Sequence, residues 1–176
     1  TVTLNSPSKS FNTAGLMQSN VICSDIEMRR RVDRVINIFE VCEVNPFGPD
    51  ALVAAYNESE EWLDELNRYL YDNYLELKRF FAEYMPKIEV LKLEGTYLVW
   101  VDISALEFTS DELEAKLRDE GKVYLNSGTM YGRRAGQGYM RINIACPRSR
   151  MIDGLTRMAK VLAPYMEDDC DMGCPS

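Results

Sequence analysis

Tyr139-Met140-Arg141-Ile142-Asn143-Ile144-Ala145 alternates between apolar and polar residues. Side chains on a strand point to opposite faces in turn. Met140, Ile142 and Ile144 therefore share one face, which reads as core, and Arg141 and Asn143 share the other. A guanidinium within a sheet strand is uncommon unless something pairs with it. Pattern alone leaves two readings of Arg141 open: a cation on a solvated strand surface, or a group that binds an anion.

Working outward, Ser149 to Met166 reads as a helix with Ile152, Leu155, Ala159 and Leu162 inward. Upstream, residues 126–138 form a loop with four glycines, Gly128, Gly132, Gly136 and Gly138. That loop lacks the Gly-Lys-Ser/Thr ending of a phosphate-cradling loop, so its glycines read as turn geometry. Val123 to Leu125 is expected to be a short strand, and Thr109 with Glu112 to open a capped helix ending near Arg118. Tyr97 to Val101 is a nearly continuous apolar run, which predicts a strand covered on both faces. Val90 to Leu93 predicts another strand, with a turn at Glu94-Gly95.

A long helix is expected from Glu58 to Tyr84, stopped by Pro86. Its stripe is Trp62, Leu66, Leu70, Leu77 and Phe81, and Asn57 to Glu60 matches a capping box. Residues 50–57 read as a shorter helix, and Asn45-Pro46-Phe47-Gly48-Pro49-Asp50 as the passage between two lobes. Before it, residues 25–40 read as an amphipathic helix with Ser24 and Glu27 as its capping box. Thr1 to Leu4 and Asn20 to Cys23 read as strands flanking a loop of small polar residues that carries Lys9. From residue 50 onward the pattern is a small antiparallel or mixed sheet with packed helices, an α+β lobe.

Composition narrows the function classes. The chain has 176 residues, 46% apolar and 27% charged, which is ordinary for a globular protein with a core. A net charge of -8 disfavours a nucleic-acid partner, and Arg29-Arg30-Arg31 reads as a solvated helix face. No apolar run approaches the length of about 18 residues that a membrane helix needs, and no secretory signal is visible. The absence of His removes Ser-His, Cys-His and His-metal mechanisms from this segment. Cys23, Cys42 and Cys146 lie in or beside apolar segments, where buried free thiols are expected. Cys170 and Cys174 are too few for a soft-metal site, and residues 167–176 read as a disordered tail. No metal is expected, and the thiols favour a reducing cytoplasm.

Four ordered segments carry a resemblance. Ser6-Pro7-Ser8-Lys9-Ser10-Phe11-Asn12-Thr13-Ala14-Gly15-Leu16 is similar to the lysine motif of the class I/II aminotransferase superfamily, enzymes of fold type I that use pyridoxal phosphate (PLP). Glu94 to Asp102 resembles that superfamily's glycine turn and core strand. Leu125 to Gly132 resembles the loop before its arginine strand, and Tyr139 to Ser149 resembles the arginine strand itself. The pattern is closest to the cystathionine β-lyase-like C–S lyase branch. The resemblance implies that Lys9 bears the cofactor and acts at Cα, that Ser6 binds its phosphate, and that Arg141 holds the substrate α-carboxylate. Met17 and Gln18 stand where many aminotransferases carry a phosphate-binding arginine, which suits the lyase branch.

The resemblance further implies a C-terminal portion of a larger homodimeric enzyme acting on a small-molecule amino-acid substrate. Residues 1–45 would be an edge of the large α/β domain and 46–166 the small domain. A β-lyase would give a thiol, pyruvate and ammonia. An aminotransferase is the alternative chemistry, and a non-catalytic isolated domain the alternative class. The remaining cofactor ligands of the superfamily lie upstream of its lysine, so the 176-residue chain alone is expected to be inactive.

Overall fold

The computed structural model describes residues 1–167. The chain is α+β and divides into two compact units, Thr1–Asn67 and Arg68 onward. The division falls inside one long helix, whereas the sequence placed the passage between lobes at Asn45 to Asp50. The expected disorder of the tail from Asp168 on, with Cys170 and Cys174, lies outside the described residues.

In the first unit, β1 (Val2–Asn5) and β2 (Asn20–Cys23) pair antiparallel, with Val2 opposite Cys23 and Leu4 opposite Val21. A short 3-10 turn, Ala14–Leu16, lies between them. Helix α1 spans Ile26–Ile38. Its cap is not the expected Ser24–Glu27 box: Asp25 is the N-cap, and its carboxylate accepts from the Met28 amide at 2.6 Å. An aspartate one residue later offers a charged acceptor to the same orphan amides, and it wins. Helix α2 runs Gly48–Glu58 with Pro49 in its first turn, where the missing N–H costs nothing. Asn57 therefore lies inside α2 and caps nothing, and Ser59 Oγ donates instead to the Ala54 carbonyl.

Helix α3 spans Glu60–Tyr84 and carries its C-terminal part into the second unit. Leu70, Tyr74, Leu77 and Phe81 are its buried apolar stripe; Trp62 is exposed and Leu66 half-buried. The second unit's sheet has four antiparallel strands in the order β3-β4-β6-β5. These are β3 (Glu89–Val90), β4 (Leu98–Asp102), β5 (Asn126–Ser127) and β6 (Tyr139–Asn143). Val99, Val101, Met140 and Ile142 face the core, together with Ile144 just beyond β6. The other face of β4 is only half-buried, with Leu98, Trp100 and Asp102 on it, so the strand is not covered on both faces as expected.

Helix α4 (Ser110–Lys116) has the predicted capping box of Thr109 and Glu112. It continues as a π turn, Leu117–Gly121, and the Val123 amide donates back to the Leu117 carbonyl. That bond takes the backbone of 123–125 away from the sheet, so the expected strand there is replaced by β5. Helix α5 (Arg148–Leu162) buries Met151, Leu155, Met158 and Leu162; Ile152 and Ala159 sit at the margin of the stripe. A short 3-10 turn, Ala163–Tyr165, ends the helical stretch before Met166. Asn73, fully buried on α3, ties the two helices to the sheet. Its Nδ2 donates to the Ile144 and Cys146 carbonyls, and its Oδ1 accepts from Arg148 Nε.

The thiols differ among themselves. Cys23 is buried, Cys146 half-buried and Cys42 exposed. Burial pushes the Cys146 thiol above the ordinary cysteine value, and the charge of Arg150 only partly offsets this. Among the described residues no helix is long and apolar enough to cross a membrane.

Candidate functional site

Lys9 follows β1 in a run of turns that the sequence builds from small residues. Pro7 is buried, the Phe11 amide closes onto the Pro7 carbonyl, and the Thr13 amide onto Ser8. Phe11 anchors the turn within its unit: its ring lies 5.6 Å from Tyr56, edge to face, and 6.2 Å from Trp62, stacked. Asn5 Nδ2 also reaches the Tyr56 hydroxyl, at 3.2 Å. These contacts explain why Trp62 is not core: it packs on the lysine turn.

With the turn fixed on both flanks, Lys9 projects outward and is exposed. Its ammonium has no hydrogen-bond or ion-pair partner among the described residues. Ser6, three residues before it, is half-buried. Its hydroxyl lies 2.7 Å from the Ser8 hydroxyl, donates to the Gln18 carbonyl and accepts from the Ser8 amide. Ser6 and Lys9 thus share one braced turn. Thr13 Oγ1 and Gln18 Oε1 in the same loop are buried with no partner among the described residues. Buried polar groups are rarely left this way, which marks the loop as one whose hydrogen bonding is incomplete.

Arg141 belongs to the second unit. It is half-buried on β6, with Trp100 directly opposite on β4 and Asn126 opposite on β5. Its guanidinium carbon lies 4.3 Å from the centre of the Tyr131 ring, and Tyr131 meets Trp100 edge to face at 5.5 Å. No carboxylate pairs with Arg141 among the described residues. The guanidinium is therefore held by an aromatic face and retains its planar fork of donors, a shape matched to a carboxylate. Leu91, Trp100, Tyr131, Ala135 and Tyr139 help to line a mostly apolar cavity of about 250 Å³ beside it.

The loop that carries Tyr131 is fastened at both ends to the start of α4. Ser127 and Thr129 hydroxyls both donate to Asp111 Oδ1, and the Ser127 amide donates to Glu114. These hydroxyl donors, Ser127 first, hold the Asp111 carboxyl below the usual aspartate value. At the other end the buried Ser110 hydroxyl donates to the Gly136 carbonyl and accepts from the amides of Gly138 and Tyr139. Gly128 and Gly136 pass so close that a β-carbon on either would run into the other's backbone. Their role is close approach, and only Gly138, at φ +83°, answers to the turn geometry read from the sequence. Tyr131, Asp111 and Ser110 were not singled out in the sequence. An aromatic within a glycine loop directly before an arginine-bearing strand was the available signal.

A family model described as aminotransferase class I and II matches residues 1–157. Cystathionine beta-lyase PatB of Bacillus subtilis is 36% identical over 162 residues, which cover 92% of this chain and 42% of that protein. A PLP-bound protein from Clostridium difficile 630 assigned as an aminotransferase is 40% identical with a TM-score of 0.87, over 92% of this chain and 41% of that one. Cystalysin from Treponema denticola, whose crystal structure contains PLP, is 31% identical with a TM-score of 0.88, over 93% of this chain and 41% of that one. The chain thus spans about 42% of the length of the first curated relatives it matches. On the extent of the family match, which takes in the lysine turn, the glycine loop and the arginine strand, the chain belongs to the aminotransferase class I and II family.

Proposed function

We propose that the whole protein to which these residues belong is a PLP-dependent C–S β-lyase of the cystathionine β-lyase type. It would release a thiol, pyruvate and ammonia from a sulfur amino acid. The observation that carries this reading is the likeness, over 92% of the chain, to a cystathionine beta-lyase at 36% identity. The residues present fit the cofactor. An exposed, unpaired primary amine suits condensation with an aldehyde, and paired hydroxyls at Ser6 and Ser8 suit a phosphate. When bound, the cofactor supplies the electron sink that makes a proton at Cα removable.

The chain's own residues then have separate tasks. Lys9 Nζ would hold the cofactor and would serve as the base for the Cα proton. Ser6 would donate its hydroxyl to the phosphate on turning from the Gln18 carbonyl, with the Ser8 amide keeping it in place. Arg141 would grip the α-carboxylate through two parallel N–H donors and so fix that end of the substrate. A cytoplasmic homodimer acting on a small-molecule amino-acid substrate, with no nucleic-acid or membrane partner, belongs to the same proposal.

Transamination is the second reading, favoured by the likeness to the PLP-bound aminotransferase-assigned protein at 40% identity. It calls on the same two residues here. Incubating the full-length enzyme with S-methylcysteine separates the two: pyruvate and thiol without an added oxo acid support the lyase, and turnover only with an oxo acid supports the transferase. Replacing Lys9 by Ala in that enzyme is expected to abolish the yellow cofactor absorbance and nearly all turnover. A borohydride-reducible PLP adduct on another lysine would refute the assignment of Lys9.

A further inference from the structure

We propose that Tyr131 is a positioning residue for Arg141, holding the guanidinium by its aromatic face so that its donor edge stays open to a carboxylate. The inference rests on the reading of Arg141 as the carboxylate anchor. Its basis is the geometry around the arginine. The guanidinium carbon stands 4.3 Å from the ring centre, within cation–π range. A carboxylate partner would hold the cation as well, but it would occupy the same N–H donors that a substrate needs. A ring attracts the charge through its quadrupole and consumes no donor.

The ring is itself fixed. Trp100, directly across from Arg141 in the sheet, meets Tyr131 edge to face at 5.5 Å. The loop that bears Tyr131 is fastened at Asp111 and at Ser110 as described above. Tyr131 is about half exposed, so its ring is not a core plug whose loss would collapse the fold. An arginine left unstacked on an open strand face would sample many rotamers and lose entropy on binding; a stacked one has already lost it.

The test uses the full-length, PLP-loaded enzyme and two readouts. One is KM against kcat for S-methylcysteine. The other is the dissociation constant of 3-(methylthio)propanoate, which has the carboxylate and no amine to react. Tyr131→Phe keeps the ring and is expected to match wild type in both. Tyr131→Leu is expected to raise KM and the dissociation constant together by roughly two- to fivefold, with kcat nearly unchanged. Should the leucine variant not fold, Tyr131→Gln carries the same expectation. In an Arg141→Ala background the Tyr131 change is expected to have no further effect, because its only route is through the guanidinium. Equal losses in both backgrounds, or unaltered binding in Tyr131→Leu while Arg141→Ala is impaired, would overturn the positioning role alone. Unaltered binding in Arg141→Ala would overturn the anchor reading and this inference with it.

Discussion

Arg141 stands on the half-exposed face of β6, and its neighbours there are rings and amides rather than acids. This separates three roles that a strand arginine can play. A structural ion pair would need a buried carboxylate, and none lies against it among the described residues. A plain surface cation would not need an aromatic support. An anion anchor needs both an open donor edge and a fixed plane, and the surroundings supply the plane. A charge-assisted contact is worth about 1.5–3 kcal/mol, so Arg141→Ala in the full-length enzyme should lower kcat/KM by roughly tenfold to a hundredfold or more. Arg141→Lys should recover only part, because an ammonium cannot form the fork. The urea midpoint should stay close to wild type in both variants; a large drop in it with intact kinetics would point to the structural role instead.

At the scale of elements, α4 is short but it sets the course of the glycine loop. Its first turn presents Ser110 and Asp111 to opposite ends of residues 127–139. The Asp111 carboxyl is held below the ordinary aspartate value by the Ser127 and Thr129 hydroxyls. A depressed folded-state value stabilises the fold at pH above the unfolded value and ceases to do so as pH falls through the folded one. Asp111→Asn should therefore lower the melting temperature at neutral pH, and the gap from wild type should close in acid. A gap that is constant with pH would mean that the carboxylate's charge plays no part. The elements themselves were mostly legible in the sequence, because strand alternation in 139–145 and the helical stripe in α3 are direct images of burial. The failures differ in cause. The Ser24 cap lost to the neighbouring carboxylate of Asp25, the 123–125 strand lost to a π turn closed from Val123 to Leu117, and Gly136 proved to be a close-approach glycine against Gly128, a contact the linear pattern does not pair. Arg141 was legible as a residue, whereas its support by Tyr131 depends on a loop path fixed from α4.

Over the whole molecule the two units differ in how much they bury. In the first, Cys23 and Ala55 are buried but keep 7% and 5% exposure, and α1 buries none of its residues. Leu4, Ile22, Val35, Ile38, Phe39 and Phe47 are all exposed. In the second, Leu77, Phe81, Met85, Val101, Ile103, Leu113, Met140, Met158 and Leu162 are each 0–1% exposed. Apolar burial at about 25 cal/mol per Å² is the main term that offsets chain entropy, so the units should differ in local stability. Amides protected only by β1–β2 pairing and by α1 should open without the rest of the chain unfolding. Hydrogen exchange on the 176-residue chain is therefore expected to be fast in residues 2–5, 20–23 and 26–38 and slow in β4, β6 and the part of α3 that carries Leu77 and Phe81. Lys9 stands exposed on its turn in this unit, and the same chain should not retain PLP through gel filtration. Uniformly slow exchange across both units, or stoichiometric PLP after filtration, would show that the first unit is ordered enough on its own to hold Lys9 in a working geometry.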